Sequence, residues 1–590
     1  MNSAAWMDAC CKPNVQLTVG PAGSGKTHRL INDILDEQDK PGNACKVVLS
    51  PQNILLESLR NELQAKRKTR PWKGHRVPSL PHLMTTAMFE MVLRFYHLGG
   101  KKTRVPSFIK NNRSAYRQIQ ASFDGTILLR LYIDEVFMMR AGRAGKNTGF
   151  AGFLKLLPRS CKIVAIGDAL QLPPPSGIHL LKARGDYSVR SAFSQNRVHV
   201  TMLKTQFRTK GSGADGERLS SFLCRLKEDP SSVRQRLVDR MVCFLDPKTG
   251  ELDEEVFLGK LCARDSDGQL VPPIMLCHDN HRMQVVNFAV LDYALRQLPG
   301  SELRTALGID DDVFQIHKII PRDYDSTATS SNGRNTPSYL CLGCRVVLTS
   351  SVVAVKAMDE EEEGVPIEKR RLCCSFVARL VGFENVPFQE TVEGQLSWRA
   401  PATTKKRKKS DADCEDGSVE EQDGEPCLTS DGKPTVLIRL GEQPTCDGST
   451  DDEMDDLWRI PLLLGNGQPT VLLADVGSTV FRQQGQTIQA PQKIVIVKSG
   501  SAMPLDVFYV AASRGTCMSQ LYFEGGIQIG SMPQDWSDFT TTLNEWASHS
   551  AVTGKGVHSH SHHEGSSRRL SAGVKTSKLT LKNKTLAFPW

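Results

Sequence analysis

The sequence predicts an α/β protein: two lobes built on parallel sheets, with inserted subdomains and a disordered linker and tail. Short, almost uniformly apolar runs rich in β-branched residues recur along the chain and alternate with segments of helical periodicity, the pattern of strands buried on both faces. A length of 590 residues exceeds what one hydrophobic core fills, so about three or four domains are expected. Two stretches, 400–434 and the end beyond about 550, are charged, polar and nearly free of large apolar residues. Such a composition cannot bury enough surface to fold.

Taken in order, VQLTV (15–19) is a strand that stops at Gly20-Pro21, and a helical pattern resumes after Lys26-Thr27. KVVLS (46–50) precedes the helix-like ILLESLRNEL. ILLRLYID (127–134), CKIVAIGD (161–168), PPIMLCHD (272–279), CRVVLTS (344–350) and KIVIVKS (493–499) are further buried strands. These runs suggest a first lobe over 1–205 with an accessory insertion at 64–125, a connecting segment at 206–271, and a second lobe formed by 272–355 and 470–530. A module at 356–469, opened by the acidic run DEEEE and holding the charged linker, is inserted in the second lobe, and a tail follows from 531. No internal repeat is visible.

Composition excludes several classes. A hydrophobic share of 39% and a charged share of 24% suit a globular protein with some disordered connectors. No stretch approaches the roughly 18 consecutive apolar residues needed to cross a bilayer, and the opening MNSAAWMDACCKPN lacks a secretory pattern. The expectation is an intracellular protein whose 16 scattered cysteines stay reduced. Net charge is +9, from 74 basic against 65 acidic residues, which permits contact with a polyanion without arguing for it.

The strongest local signal is the run Gly20, Pro21, Ala22, Gly23, Ser24, Gly25, Lys26 and Thr27, a full phosphate-binding loop set between a strand and a helix. Its glycines let the backbone wrap phosphates with N–H groups pointing inward, Lys26 reaches the β- and γ-phosphates, and the Thr27 hydroxyl takes Mg²⁺. Leu131-Tyr-Ile-Asp134-Glu135 ends a buried strand on two carboxylates. Asp134 would hold Mg²⁺ through water and Glu135 would polarise the attacking water. These two elements imply nucleoside triphosphate hydrolysis and no more.

Further blocks follow in order. Gly167-Asp168-Ala-Leu-Gln171-Leu172-Pro173-Pro174 trails a buried strand and could put Gln171 beside the γ-phosphate. Then come Thr205-Gln206-Phe207-Arg208, Gln483-Gln484-Gly485-Gln486-Thr487 and Tyr509-Val-Ala511-Ala-Ser513-Arg514. With Ser50-Pro51, Val77-Pro-Ser79-Leu-Pro-His82, Met275-Leu-Cys-His-Asp-Asn280 plus Asn287, and Leu342-Gly343-Cys-Arg345-Val-Val-Leu-Thr349, this ordered set resembles superfamily 1 helicases. The likeness is particularly to DNA helicases of the Pif and RecD type and covers roughly residues 15 to 525.

That resemblance implies that both lobes are RecA-like and that Arg208 and Arg514 are arginine fingers on opposite sides of the lobe cleft. It places Gly485 at the nucleotide, lets Gln484 and Thr487 couple the cleft to nucleic acid, and lines a strand path with Ser50, Pro51, His82, Thr349 and Thr479. VLIRLGEQ (436–443) and WRIPLLLG (458–465) could be strands of a small barrel-like module, as in the family. The implied activity is ATP-dependent 5′→3′ translocation on single-stranded DNA with duplex unwinding, in replication or repair, and other replication proteins are conceivable partners. No counterpart of the family's adenine-contacting glutamine element precedes Gly20, which leaves the choice of base open. An RNA helicase of the kind found in positive-strand RNA viruses is the alternative motor, and a helicase-like scaffold the alternative class.

Smaller signals remain. Lys405-Lys-Arg-Lys-Lys409 reads as a nuclear-import signal or as a chance basic loop. With the compact leader and divergent motif spellings, it suggests a viral or mobile-element protein acting in a nucleus. Cys341-x-x-Cys344 lies on an expected strand, where the pair shares neither a redox helix nor a paired metal partner, and metal is not expected there or at Cys277/His278/His281. His558, His560, His562 and His563 read as part of a polar tail, and Phe588 and Trp590 could dock on a partner or fold back.

Overall fold

The computed structural model describes residues 14–36, 44–70, 80–97, 109, 112–139, 154, 156–158, 160–169, 172, 198–230, 233, 235–309, 315–320, 338–357, 369–372, 376–390, 396–399, 433–440, 457–464, 468–474, 476–498, 502–531 and 534–553. Gln171, Pro173, Pro174, the 77–79 part of the His82 block, the run 405–409, nearly all of the 400–434 linker and the tail signals beyond 553 lie outside these residues.

The first lobe carries β1 (Asn14–Val19), β2 (Ala44–Ser50), β3 (His82–Thr85), β4 (Leu128–Ile133), β5 (Lys162–Gly167) and β6 (Val198–Met202). They form one sheet in the order β3-β2-β4-β5-β1-β6, with every pair parallel. The pleat explains the near-continuous apolar runs, since alternate residues face opposite layers. On one face Val48, Tyr132, Val164 and Ile166 meet α1 (Lys26–Asp36) and α2 (Asn53–Thr69). On the other, Val15, Leu17, Val47, Leu131 and Ile163 meet α3 (Thr86–His97) and α4 (Arg113–Phe123).

The second lobe begins after α5 (Gly213–Glu228) with β7 (Met241–Val242), the hairpin of β8 (Ala263–Arg264) and β9 (Leu270–Val271), and β10 (Ile274–Cys277). Helices α6 (Asn280–Arg296) and α7 (Glu302–Leu307) follow. The Asp279 side chain caps α6 by accepting the Arg282 N–H.

The chain then runs through β11 (His317–Ile320), β12 (Ser338–Leu340), β13 (Arg345–Leu348), β14 (Val352–Lys356), β15 (Lys369–Leu372), β16 (Val377–Glu384), β17 (Gln389–Glu390) and β18 (Leu396–Arg399). After these come β19 (Thr435–Leu440), β20 (Leu457–Pro461), β21 (Val471–Leu473), β22 (Gly477–Thr479) and β23 (Ile494–Ile496). Helix α8 (Leu505–Ala512), β24 (Leu521–Glu524) and α9 (Gln534–Thr553) complete it. A second parallel sheet has the order β22-β10-β23-β24-β7. One of its faces packs on α5 and α8, the other on α6 and α7.

Between β10 and β22 lies an antiparallel module. Its seven-stranded sheet runs β15-β14-β20-β19-β16-β13-β21, beside a four-stranded sheet β12-β11-β18-β17. The segments at 436–443 and 458–465 supply its adjacent strands β19 and β20. The run at 344–350, expected in the second parallel lobe, forms β13 and pairs antiparallel with β16 and β21. A four-residue apolar strand carries no mark of its partner's direction, so only tertiary pairing decides its sheet. The expected tail at 531–590 also begins as structure: α9 packs Phe539 and Leu543 into the first-lobe core. Among the described residues no helix is long and apolar enough to cross a membrane.

Candidate nucleotide and nucleic-acid site

The phosphate loop follows β1 at the carboxyl edge of the first sheet, and Asp134 and Asp168 follow the neighbouring β4 and β5. Open parallel sheets gather ligands at this edge. Gly23 and Gly25 adopt φ of 77° and 78°, the left-handed region that glycine enters without strain. A Cβ on Gly23 would lie 2.7 Å from Cβ of Arg208, because Phe207 and Arg208 donate their backbone N–H groups to the Gly23 carbonyl at 2.8 and 3.3 Å. The Thr205–Arg208 block is thereby strapped across the loop.

Lys26 is buried and its Nζ donates to the carbonyls of Gly20 and Pro21, each at 2.9 Å. Burial pulls its ammonium below the ordinary range, while Asp168, Glu135 and Asp134 oppose that shift, in that order. Asp134 is pushed well up by burial and then by the adjoining Glu135 carboxylate. Its Oδ1 accepts the Glu135 N–H at 3.0 Å. Glu135 has φ of 50°, which turns the chain sharply off the end of β4.

From the second lobe, the Tyr509 hydroxyl accepts the Ala22 N–H at 3.3 Å and donates to Asp168 Oδ2 at 3.3 Å. Lys227 Nζ sits 4.6 Å from the centre of its ring. Arg208 donates through Nη1 to the Ser513 carbonyl. Arg514 is fully buried, donating to Val510 O at 2.9 Å, Gln486 O at 3.2 Å, Gln483 O at 3.3 Å and Ser513 Oγ at 2.9 Å. Burial, and next the nearby Arg208, pull its guanidinium down to about 9. The two arginines expected as fingers thus approach each other across the lobes, one at the phosphate loop and one held by carbonyls of its own lobe.

The residues expected along a nucleic-acid path occupy several settings. Ser50 ends β2 and is buried, Pro51 is half-buried beyond it, and His82 opens β3 with Nε2 3.1 Å from Gln118 Oε1. Thr479 ends β22 and is buried, Gln484 is wholly buried, and Thr487 is exposed. Gly485, with φ of 84°, touches the first lobe: a Cβ there would stand 2.3 Å from Leu55 Cδ2 on α2. Thr349 belongs to the antiparallel module, where its hydroxyl donates to Pro469 O at 2.8 Å and Thr470 O at 3.1 Å. Asn287 exchanges hydrogen bonds with Gly477 and donates to Leu473 O, joining α6 to the start of β22.

Two residues acquire a role only in three dimensions. Tyr509 was visible as part of a block, but its cross-lobe bond is a product of tertiary geometry. Gln520 stands outside the sequence blocks and forms a capping box with Cys517 at the start of the 3₁₀ turn Met518–Gln520. Its Oε1 accepts from Thr516 N, Thr516 Oγ1 and Cys517 N, and its Nε2 donates to Ile488 O and Gln492 O, all within 3.2 Å. It ties the loop after Arg514 to the loop after Thr487.

The chemistry of the donor set suits a magnesium nucleotide. Thr27 and Asp134 offer the hard oxygens Mg²⁺ prefers. Among the described residues Ser24 Oγ is buried in this loop with no hydrogen bond.

No family model and no curated protein sequence matches the chain. Among solved structures, a Pif1 helicase from Candida albicans aligns at 16% identity over 90% of this chain and 96% of its own, with a TM-score of 0.42. A Bacteroides Pif1 helicase in complex with ADP-AlF3 and single-stranded DNA aligns at 15% identity over 92% and 96%, with a TM-score of 0.38. An arterivirus nonstructural protein 10 helicase covers 37% of this chain and 40% of its own at 13% identity, with a TM-score of 0.19.

Proposed function

We propose that this chain is an ATP-driven DNA helicase of superfamily 1 that moves 5′→3′ on single-stranded DNA and unwinds duplex during replication or repair. The observation that carries the reading is the junction at the phosphate loop: Lys26, Asp134, Glu135 and Asp168 converge there from the first lobe while Tyr509 and Arg514 approach from the second. A phosphate site shared by two parallel-sheet lobes is what a motor driven by lobe closure needs.

In this reading the loop amides and Lys26 hold the phosphates, and Glu135 orients and polarises the attacking water. Mg²⁺, held by Thr27 and Asp134, supplies neutralising charge at the phosphate oxygens. Arg208 already lies against the loop, and Arg514 turns from its carbonyls to the same developing charge. Gly485 closes the cleft from the second lobe. Pro51 and His82 on one side and Thr349 on the other grip the strand in alternation, with the buried Ser50 and Thr479 behind them at the strand ends, and Gln484 and Thr487 couple the cleft to it. The basic run 405–409 supports action in a nucleus.

The test is hydrolysis of ATP with and without single-stranded DNA, followed by unwinding of DNA and RNA duplexes bearing 5′ or 3′ tails. We expect DNA-stimulated hydrolysis that falls by about a hundredfold or more in Lys26→Ala, with unwinding of 5′-tailed DNA. Undiminished hydrolysis in Lys26→Ala sinks the motor reading, and unwinding of RNA alone overturns the choice of DNA.

A further inference from the structure

We infer that the C-terminal helix α9 holds the carboxylate turn of the first lobe in place, with Phe539 as a positioning residue for Glu135. The need for such support is written in the backbone. Glu135 sits at φ of 50°, a left-handed conformation that a residue with a side chain keeps only when its surroundings enforce it. Immediately after it, Val136–Met138 form a single 3₁₀ turn whose three side chains are all buried.

Phe137 is the wedge in that turn. Its ring lies against the backbone of Gly167, where a Cβ would come within 2.7 Å of Cδ2. Gly167 ends β5 and precedes Asp168, so one ring is packed between the two strand ends that carry Asp134, Glu135 and Asp168. Phe539 of α9 meets the same ring edge to face, with ring centroids 5.4 Å apart at 74°.

Phe539 and Leu543, one helical turn apart, are both buried in the first-lobe core, and Trp546 and Ala547 pack partly against it. The chain reaches α9 only after β24, the last strand of the second sheet to be made. The carboxylate turn of the first lobe is therefore supported by a segment that follows the whole second lobe in sequence.

The test compares Phe539→Ala with the parent chain by hydrogen exchange, a readout that needs no activity. Loss of protection at 135–139 and 167–169, with 214–228 unchanged, is expected; unchanged exchange at 135–139 overturns the inference. The kinetic arm rests on the hydrolysis reading above. There kcat should fall about ten- to a hundredfold with little change in KM. Phe539→Leu, which refills most of the volume, should recover much of that loss. In a Glu135→Gln background Phe539→Ala should cost nothing further, whereas losses that multiply would mean a merely structural role. If Phe539→Ala does not fold, Phe539→Leu carries the same two comparisons at smaller amplitude. A parent that hydrolyses no ATP sinks the functional reading and leaves the exchange result to decide this one.

Discussion

The Tyr509 hydroxyl accepts the N–H of Ala22 at 3.3 Å, so a side chain of the second lobe completes a hydrogen bond of the phosphate loop. The same oxygen donates to Asp168, which makes Tyr509 a direct reporter between the lobes. Tyr509→Phe keeps the ring and removes both bonds. Leaving a buried donor unmade costs about 1–3 kcal/mol, measurable by urea unfolding. Stimulation of hydrolysis by single-stranded DNA should fall more than the basal rate, and full stimulation in the variant would mean that the lobes communicate by other contacts.

Asp134 gives a pH dependence with a definite sign. Its folded carboxyl is pushed above the ordinary value by burial and by Glu135, with Lys26 opposing. Between the unfolded and the folded values, the folded chain keeps a proton that the unfolded chain has lost. Stability is therefore greatest below the unfolded value and declines as pH rises through that window. Asp134→Asn removes the charge and the decline, so its melting temperature should exceed the parent's near neutral pH and converge with it in acid. Hydrolysis should be lost in the same variant. A melting temperature below the parent's at neutral pH would contradict the assignment.

Gln520 accepts hydrogen bonds from Thr516 and Cys517 and donates two, holding together the loops on either side of Arg514. Gln520→Ala orphans several buried groups at about 1–3 kcal/mol for each that water cannot reach. Gln520→Glu keeps the acceptor and loses both donors, so it should be intermediate by chemical denaturation. Equal stability of the parent and Gln520→Glu would show that the donated bonds carry nothing.

Gly485→Ala places a methyl 2.3 Å from Leu55 Cδ2 and forces a side chain to φ of 84°. A cost of about 1–3 kcal/mol is expected from the backbone alone, together with weakened lobe closure read as a raised KM for ATP. Leu55→Ala should relieve the steric part and not the backbone part. Complete rescue by Leu55→Ala would show that glycine is needed there only for space.

Much of this was legible in the sequence because the chemistry demands contiguous residues. The phosphate loop needs its glycines, lysine and threonine in one turn, and Asp134-Glu135 needs a buried strand before it, so both announce themselves. Strand β13 did not announce its sheet, since a short apolar run looks alike in parallel and antiparallel surroundings. Helix α9 was hidden by a composition that turns polar just beyond it; its apolar residues Phe539, Leu543 and Trp546 are spaced for one face, but the partner face lies across the fold. Gln520 was illegible for a related reason, because the two bonds by which it joins the loops go to Ile488 and Gln492, far from it in sequence.

Strand β10 lies between β22 and β23, yet the whole antiparallel module is made between β10 and either neighbour. On the ribosome, at about 5–20 residues per second, β10 therefore waits with both edges unpaired until the module has been synthesised. Open strand edges recruit other chains. Products that terminate within the module should consequently aggregate, whereas a chain ended after β6 retains a complete row of six paired strands in its first sheet.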